Sequence, residues 1–173
     1  MLQLACATSH STFSHRNPLW KNESFFVHLP FKLNEDVNPT TASHRGMAPK
    51  LYQQAVEELT NLQTEGIIEP TSSPWACEAF YVNKRVEQAR GKLRLVVNYQ
   101  PLNHFLADSK FPLPQMSDMF QHIRDARIFS KFDLKSGFWQ LGLHLEDRPK
   151  TGFSIPNHHF QWTVLSFGLK TAP

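Results

Sequence analysis

Asp133 has the surroundings in this chain that best suit chemistry. It closes an apolar, β-prone run (Ile128, Phe129, Phe132), and the small pair Ser136-Gly137 and the ring of Phe138 follow it. That order predicts a strand over residues 128–134 with a carboxylate at its end, where a divalent cation can reach it. The matching chemistry is metal-assisted displacement at a phosphate, in which two cations about 3.5–4 Å apart clamp the attacking and leaving oxygens. Mg²⁺ takes hard oxygen ligands, so Asp133 would give a carboxylate and the Leu134 carbonyl a neighbouring oxygen. One carboxylate does not neutralise two dications, so further acidic groups are required. An Asp at a strand end also commonly caps the next turn, and spacing alone leaves both roles open. Phe138 has two roles open as well: packing beneath a nucleotide sugar, where it would exclude a 2′-hydroxyl, or filling a core.

A second candidate is electrostatic. Residues 84–94 hold Lys84, Arg85, Arg90, Lys92 and Arg94 against Glu87, a local charge of +4 in a chain of net +3, so the remainder carries −1. Basicity gathered in one loop suits a phosphate-facing surface, although a solvated loop has the same composition. If the flanking segments pair as strands, Lys84 and Arg94 project near one hairpin end. Arg then offers a planar fork to phosphate oxygens and Lys a point charge. Other chemistries find little support. His158 and His159 are adjacent, so they point to opposite sides of a strand and do not chelate together. No Cys-x-x-Cys and no Gly-x-Ser-x-Gly elbow occurs.

The elements that must position these residues are partly periodic. Met47, Leu51, Ala55, Leu59 and Leu62 make one helical stripe over residues 47–66, with Pro49 in the first turn and Gly66 where a C-terminal cap belongs. Met116, Met119, Phe120 and Ile123 predict a second, shorter helix after Pro112 and Pro114. Residues 79–84 and 93–99 read as strands around the basic loop. Residues 139–145 alternate cleanly and read as another strand. Residues 151–155 and 160–165 flank a Pro156-Asn157-His158 turn and read as a hairpin. Residues 1–46 form an irregular arm with at most a short strand at 25–33. The mixture is α+β, with an antiparallel sheet and helices.

The chain has 173 residues, 40% of them apolar, with 14 Phe and 4 Trp, which is enough for a packed core. Cys6 and Cys77 do not make a disulfide framework, so a reducing compartment is expected. No secretory leader and no run of about 20 apolar residues is present, which points to an intracellular, cytoplasmic protein without a membrane partner.

Several segments together resemble the front half of a retroelement reverse transcriptase, above all those of plant pararetroviruses of the caulimovirus and badnavirus type. They are Gly66-Ile67-Ile68-Glu69-Pro70 with Ser73-Pro74-Trp75, Ala79-Phe80-Tyr81-Val82, Lys92 through Tyr99 with Leu102-Asn103, Asp133 through Gln140, and Phe167 through Pro173. The resemblance implies a right-hand polymerase, with fingers over residues 47–105 and a truncated palm over 106–173. It implies an RNA-directed DNA polymerase that adds dNTPs to a primer 3′-hydroxyl with two Mg²⁺ ions on a primer–template.

By that resemblance Asp133 is a catalytic aspartate and metal ligand, and Leu134 gives the carbonyl ligand beside it. Lys84 and Arg94 bind the triphosphate, Phe138 is the sugar gate, and Phe167 and Gly168 pack on the incoming nucleotide. Arg85, Arg90 and Lys92 belong to the nucleic-acid-facing loop. Ser166 stands where relatives usually have Pro, which should loosen that turn. The family's Tyr-x-Asp-Asp turn, with its other two catalytic aspartates, does not occur in this sequence, nor do thumb, connection and ribonuclease H regions. The isolated chain is therefore expected to be inactive. The alternative is a non-catalytic nucleic-acid-binding remnant, or a non-functional fragment of an integrated viral element.

Overall fold

The computed structural model describes residues 21–39, 44–83, 93–108, 110, 112, 114–134 and 136–172. Helix α1 (Pro49–Thr64) forms where the apolar stripe predicts it, with Pro in the first turn. Ala55 and Leu59 are buried, and Met47 and Leu62 pack beside them. Gly66 takes φ 74° just past the end. Its N–H donates to Gln63 O and that of Ile67 to Leu62 O, a Schellman closure that satisfies the last carbonyls.

The chain then enters a five-stranded sheet of β1 (Ile68–Pro70), β2 (Cys77–Asn83), β3 (Leu93–Val97), β4 (Phe153–Ile155) and β5 (His158–Trp162), in spatial order β1-β5-β4-β2-β3. β2–β3, β4–β5 and β1–β5 are antiparallel as expected, but β2 and β4 run parallel, so the sheet is mixed. Local alternation carries no signal for that pairing. It depends on Gly152, whose carbonyl accepts from the Cys77 N–H at 2.9 Å. The β4–β5 hairpin turns through Pro156 and Asn157, with Asn157 at φ 63°. His159 Nε2 lies 2.8 Å from Trp75 O, and the His158 ring stacks on Phe160. The two imidazoles take different partners, as adjacent strand residues must.

Short helices complete the chain: α2 (Gln100–Phe105), which buries Leu102, and α3 (Met116–Ile123). α3 forms where expected, but Met116, Met119, Phe120 and Ile123 are all exposed.

Two expectations fail. Residues 128–134 are not a strand: no neighbour pairs with them among the described residues, and Ile128, Phe129, Phe132 and Leu134 are exposed. An apolar run without a partner edge has nothing to satisfy its backbone in a sheet. Residues 139–145 are not a strand either. Ser136 enters the left-handed region at φ 50° and starts a 3₁₀ turn, Gly137–Gln140, and only isolated bridges, Gly142–Val164 and Leu143–Val27, follow. Leu143 is buried, whereas Leu145 points to solvent.

The described part of the N-terminal arm is irregular. Residues 27–31 form no strand, but they bridge to Leu143 and Leu106, and Leu29 is fully buried. Asp147 holds this strap. It accepts the Leu29 N–H at 3.1 Å, meets His28 Nδ1 at 3.0 Å and pairs with Lys150, whose Nζ donates to Leu29 O at 2.7 Å.

Burial opposes ionisation of Asp147, but the Lys150 ammonium, the Leu29 N–H and His28 outweigh it and hold the carboxyl below its ordinary value. A depressed folded pKa gives stability that is present above the unfolded value, about 3.9, and is lost as pH falls through the lower folded one. Asp147→Asn is expected to cost about 1–3 kcal/mol at pH 7. Thermal melts of the two proteins should converge between pH 5 and pH 3; a gap constant over that range would exclude the charge as its cause.

Candidate functional site

The site is built where β3, the 3₁₀ turn and the turn after β5 meet. β3 presents Arg94, whose guanidinium carbon lies 4.9 Å from the centroid of the Phe167 ring, within cation–π range. Phe138, from the 3₁₀ turn, meets Phe167 edge-on at 5.0 Å. Trp139 reaches Phe167 at 6.0 Å and Trp162 at 5.6 Å. Between these rings and α1 lies a cavity of about 460 Å³, whose walls include Leu59, Leu62, Arg94, Trp139, Trp162 and Phe167. Glu58 also borders it, and its carboxylate accepts from the Tyr81 hydroxyl at 3.1 Å. Burial, together with this carboxylate, pushes the Tyr81 pKa upward.

Gly168 sits at φ 91°, where L side chains are strained, and a Cβ there would lie 3.6 Å from Val97 O and from the Tyr99 ring. Tyr99 is the floor of this corner. It is buried, its hydroxyl donates to Thr151 O at 2.8 Å, and burial drives its pKa well above the usual phenol value. Ser166 is buried, and its hydroxyl donates to Phe167 O at 3.1 Å.

Arg94, Phe138, Phe167 and Gly168 are thus brought together. A cationic fork, aromatic faces and an apolar hollow suit a planar, anionic ligand. Asp133 and Leu134 stand apart on the exposed 128–134 segment; Ser136, three residues after Asp133, borders the cavity. Lys84, Arg85, Arg90 and Lys92 lie outside the described residues. Among the described residues no three His, Cys, Asp or Glu side chains converge as a metal site. Asp133 with one carbonyl would fit part of a Mg²⁺ shell, and this donor set is too small to hold two ions. Tyr99, Asn103 and Glu58 escaped the sequence reading of the site. Asn103 follows Leu102 in one of the segments that carry the resemblance, but a side-chain bond to a turn 65 residues away has no periodic signature.

These residues sit on a mixed sheet flanked by helices. Residues 82–173 match the family described as reverse transcriptase (RNA-dependent DNA polymerase), and the chain belongs to that family. It is 63% identical over 170 residues to the genome polyprotein of Petunia vein clearing virus (isolate Shepherd), covering 97% of this chain and 8% of that polyprotein. It is 43% identical over 122 residues to the enzymatic polyprotein of Cauliflower mosaic virus (strain Strasbourg), covering 70% of this chain and 18% of that protein. Its fold resembles the protease–reverse transcriptase of prototype foamy virus, with a TM-score of 0.64, 21% identity and coverage of 81% of this chain and 18% of the other. A foamy viral protease–reverse transcriptase solved in complex with double-stranded DNA gives 0.59, 20%, 79% and 23%. The chain therefore spans a small part of the proteins it matches. No helix among the described residues is long and apolar enough to cross a membrane.

Proposed function

We propose that this chain forms the nucleotide-facing part of an RNA-directed DNA polymerase that acts within a longer viral polyprotein in the cytoplasm. The observation that carries this reading is the Arg94 guanidinium over Phe167, with the edge of Phe138 against the same ring. Arg94 holds triphosphate oxygens, together with Lys84. Phe138 stands beneath the sugar, and Phe167 with Gly168 packs against the nucleotide. Arg85, Arg90 and Lys92 meet phosphates of the primer–template, an affinity that weakens with salt. Residues 47–105 serve as fingers and residues 106–173 as the start of a palm. In the complete enzyme the divalent ions supply charge neutralisation at the reacting phosphate. Asp133 and the Leu134 carbonyl contribute part of their shell, and further carboxylates complete it.

The test is a titration with dTTP and Mg²⁺, followed by the fluorescence of Trp139, which touches Phe167. Arg94→Ala is expected to weaken binding about tenfold or more, the worth of a charged hydrogen bond. Equal affinities in the two proteins would refute the assignment.

A further inference from the structure

We propose that Asn103 is a positioning residue. Its carboxamide clamps both sides of the turn at residues 167–170 and so holds Phe167 against Arg94 and Phe138. The inference rests on the nucleotide-facing reading above for its function, and on geometry alone for its mechanism.

The clamp is a matched pair of bonds. Asn103 Nδ2 donates to Gly168 O at 2.8 Å, and Asn103 Oδ1 accepts the Lys170 N–H at 2.9 Å. A carbonyl and an N–H as the two partners fix which end of the amide points where. The base of the clamp is firm: Asn103 N–H donates to Tyr99 O at 2.8 Å, Leu102 beside it is fully buried, and Tyr99 is tied to Thr151. At neutral pH, among side chains of this length, a carboxamide places one donor and one acceptor side by side and a carboxylate does not. Asp offers two acceptors, and Gln adds a methylene that moves both atoms away.

The turn needs such a clamp. Gly168 holds a left-handed backbone at φ 91°, a conformation that glycine tolerates without itself enforcing. Nearby, Lys170 Nζ reaches Asp108 at 2.8 Å, an exposed pair of the kind that contributes little. Phe167 immediately precedes Gly168, so freedom at the turn moves its ring off Arg94.

The experiment compares the chain with Asn103→Leu and Asn103→Asp. Asn103→Leu is expected to raise the dTTP dissociation constant about tenfold and to speed hydrogen exchange of the Lys170 amide by a similar factor. Asn103→Asp should match it at pH 8, where a carboxylate faces the Gly168 carbonyl. It should recover toward the parent as pH falls through about 4, the ordinary Asp range, because a protonated carboxyl again offers one donor and one acceptor. Each affinity is taken relative to the parent at the same pH. A merely structural residue would lower the melting temperature without this recovery. Parent-like Lys170 exchange in both variants would overturn the clamp, and parent-like dTTP affinity with faster exchange would overturn its positioning role. If instead neither the parent nor Arg94→Ala binds dTTP, the nucleotide reading fails, while exchange and its pH recovery still decide the clamp. Should Asn103→Leu fail to fold, the pH series on Asn103→Asp decides it.

Discussion

Asp133→Asn is expected to lower dTTP incorporation by about a thousandfold or more, on the scale of losing a principal electrostatic group from an active site. The measurement uses a chimaera in which this chain replaces the matching 170-residue stretch of the Petunia vein clearing virus polyprotein, assayed on poly(rA)/oligo(dT) with Mg²⁺. The side chain is exposed, so the melting temperature should not move, which separates a lost ligand from a lost fold. The 173-residue chain alone should incorporate nothing measurable, since its described residues bring no metal-binding group of carboxylates together. If the chimaera is active and keeps that activity with Asn at 133, Asp133 is a turn cap. If the chimaera binds nucleic acid but never extends a primer, the non-catalytic remnant becomes the better description.

The largest effect on stability is expected at Gly152. A Cβ there would stand 2.0 Å from Trp75 O and 3.2 Å from His159 Nε2. Backbone on one side and a bonded imidazole on the other leave no flexible atom to give way. Gly152→Ala must therefore push β2 from β4 and strain the Cys77 N–H bond to residue 152. The cost should be about 3 kcal/mol or more, the upper range for overpacking. A denaturant midpoint equal to that of the parent would show that the parallel pairing is softer than these contacts imply. The buried Cys77 thiol, pushed up to about 11 by desolvation, offers a second readout. A loosened β2–β4 seam should let it react with a thiol reagent at neutral pH.

What the sequence made legible follows from the range of each signal. α1 and its Gly66 closure were readable because stripe, Pro49 and glycine act within a few residues of one another. The β4–β5 hairpin was readable because Pro156-Asn157 interrupts two alternating runs. The ring of Phe138 and the fork of Arg94 were suggested by residue type and resemblance, but their meeting on Phe167 depends on a turn that only tertiary contacts fix. Residues 128–134 and 139–145 misled for a shared reason. Apolar alternation states what a segment would do beside a long partner: residues 128–134 have none among the described residues, and residues 139–145 find only isolated bridges at Gly142 and Leu143. Asp147 left no trace either, because a lone acid in a polar stretch reads as surface until a strap 118 residues upstream is laid across it.

That strap has a consequence for the making of the protein. Translation delivers roughly 5–20 residues per second, so Leu29 leaves the ribosome roughly 6–24 s before the aspartate that will hold its amide. Until their partners emerge, Phe31 has no Leu106 and Val27 no Leu143 to rest on, and closing so long a loop is slow as well as late. The nascent N-terminal segment must therefore be shielded or tolerated as an apolar tail until the β4–β5 region emerges. The first fully buried residue among those described, Leu29, is thus among the last to be secured.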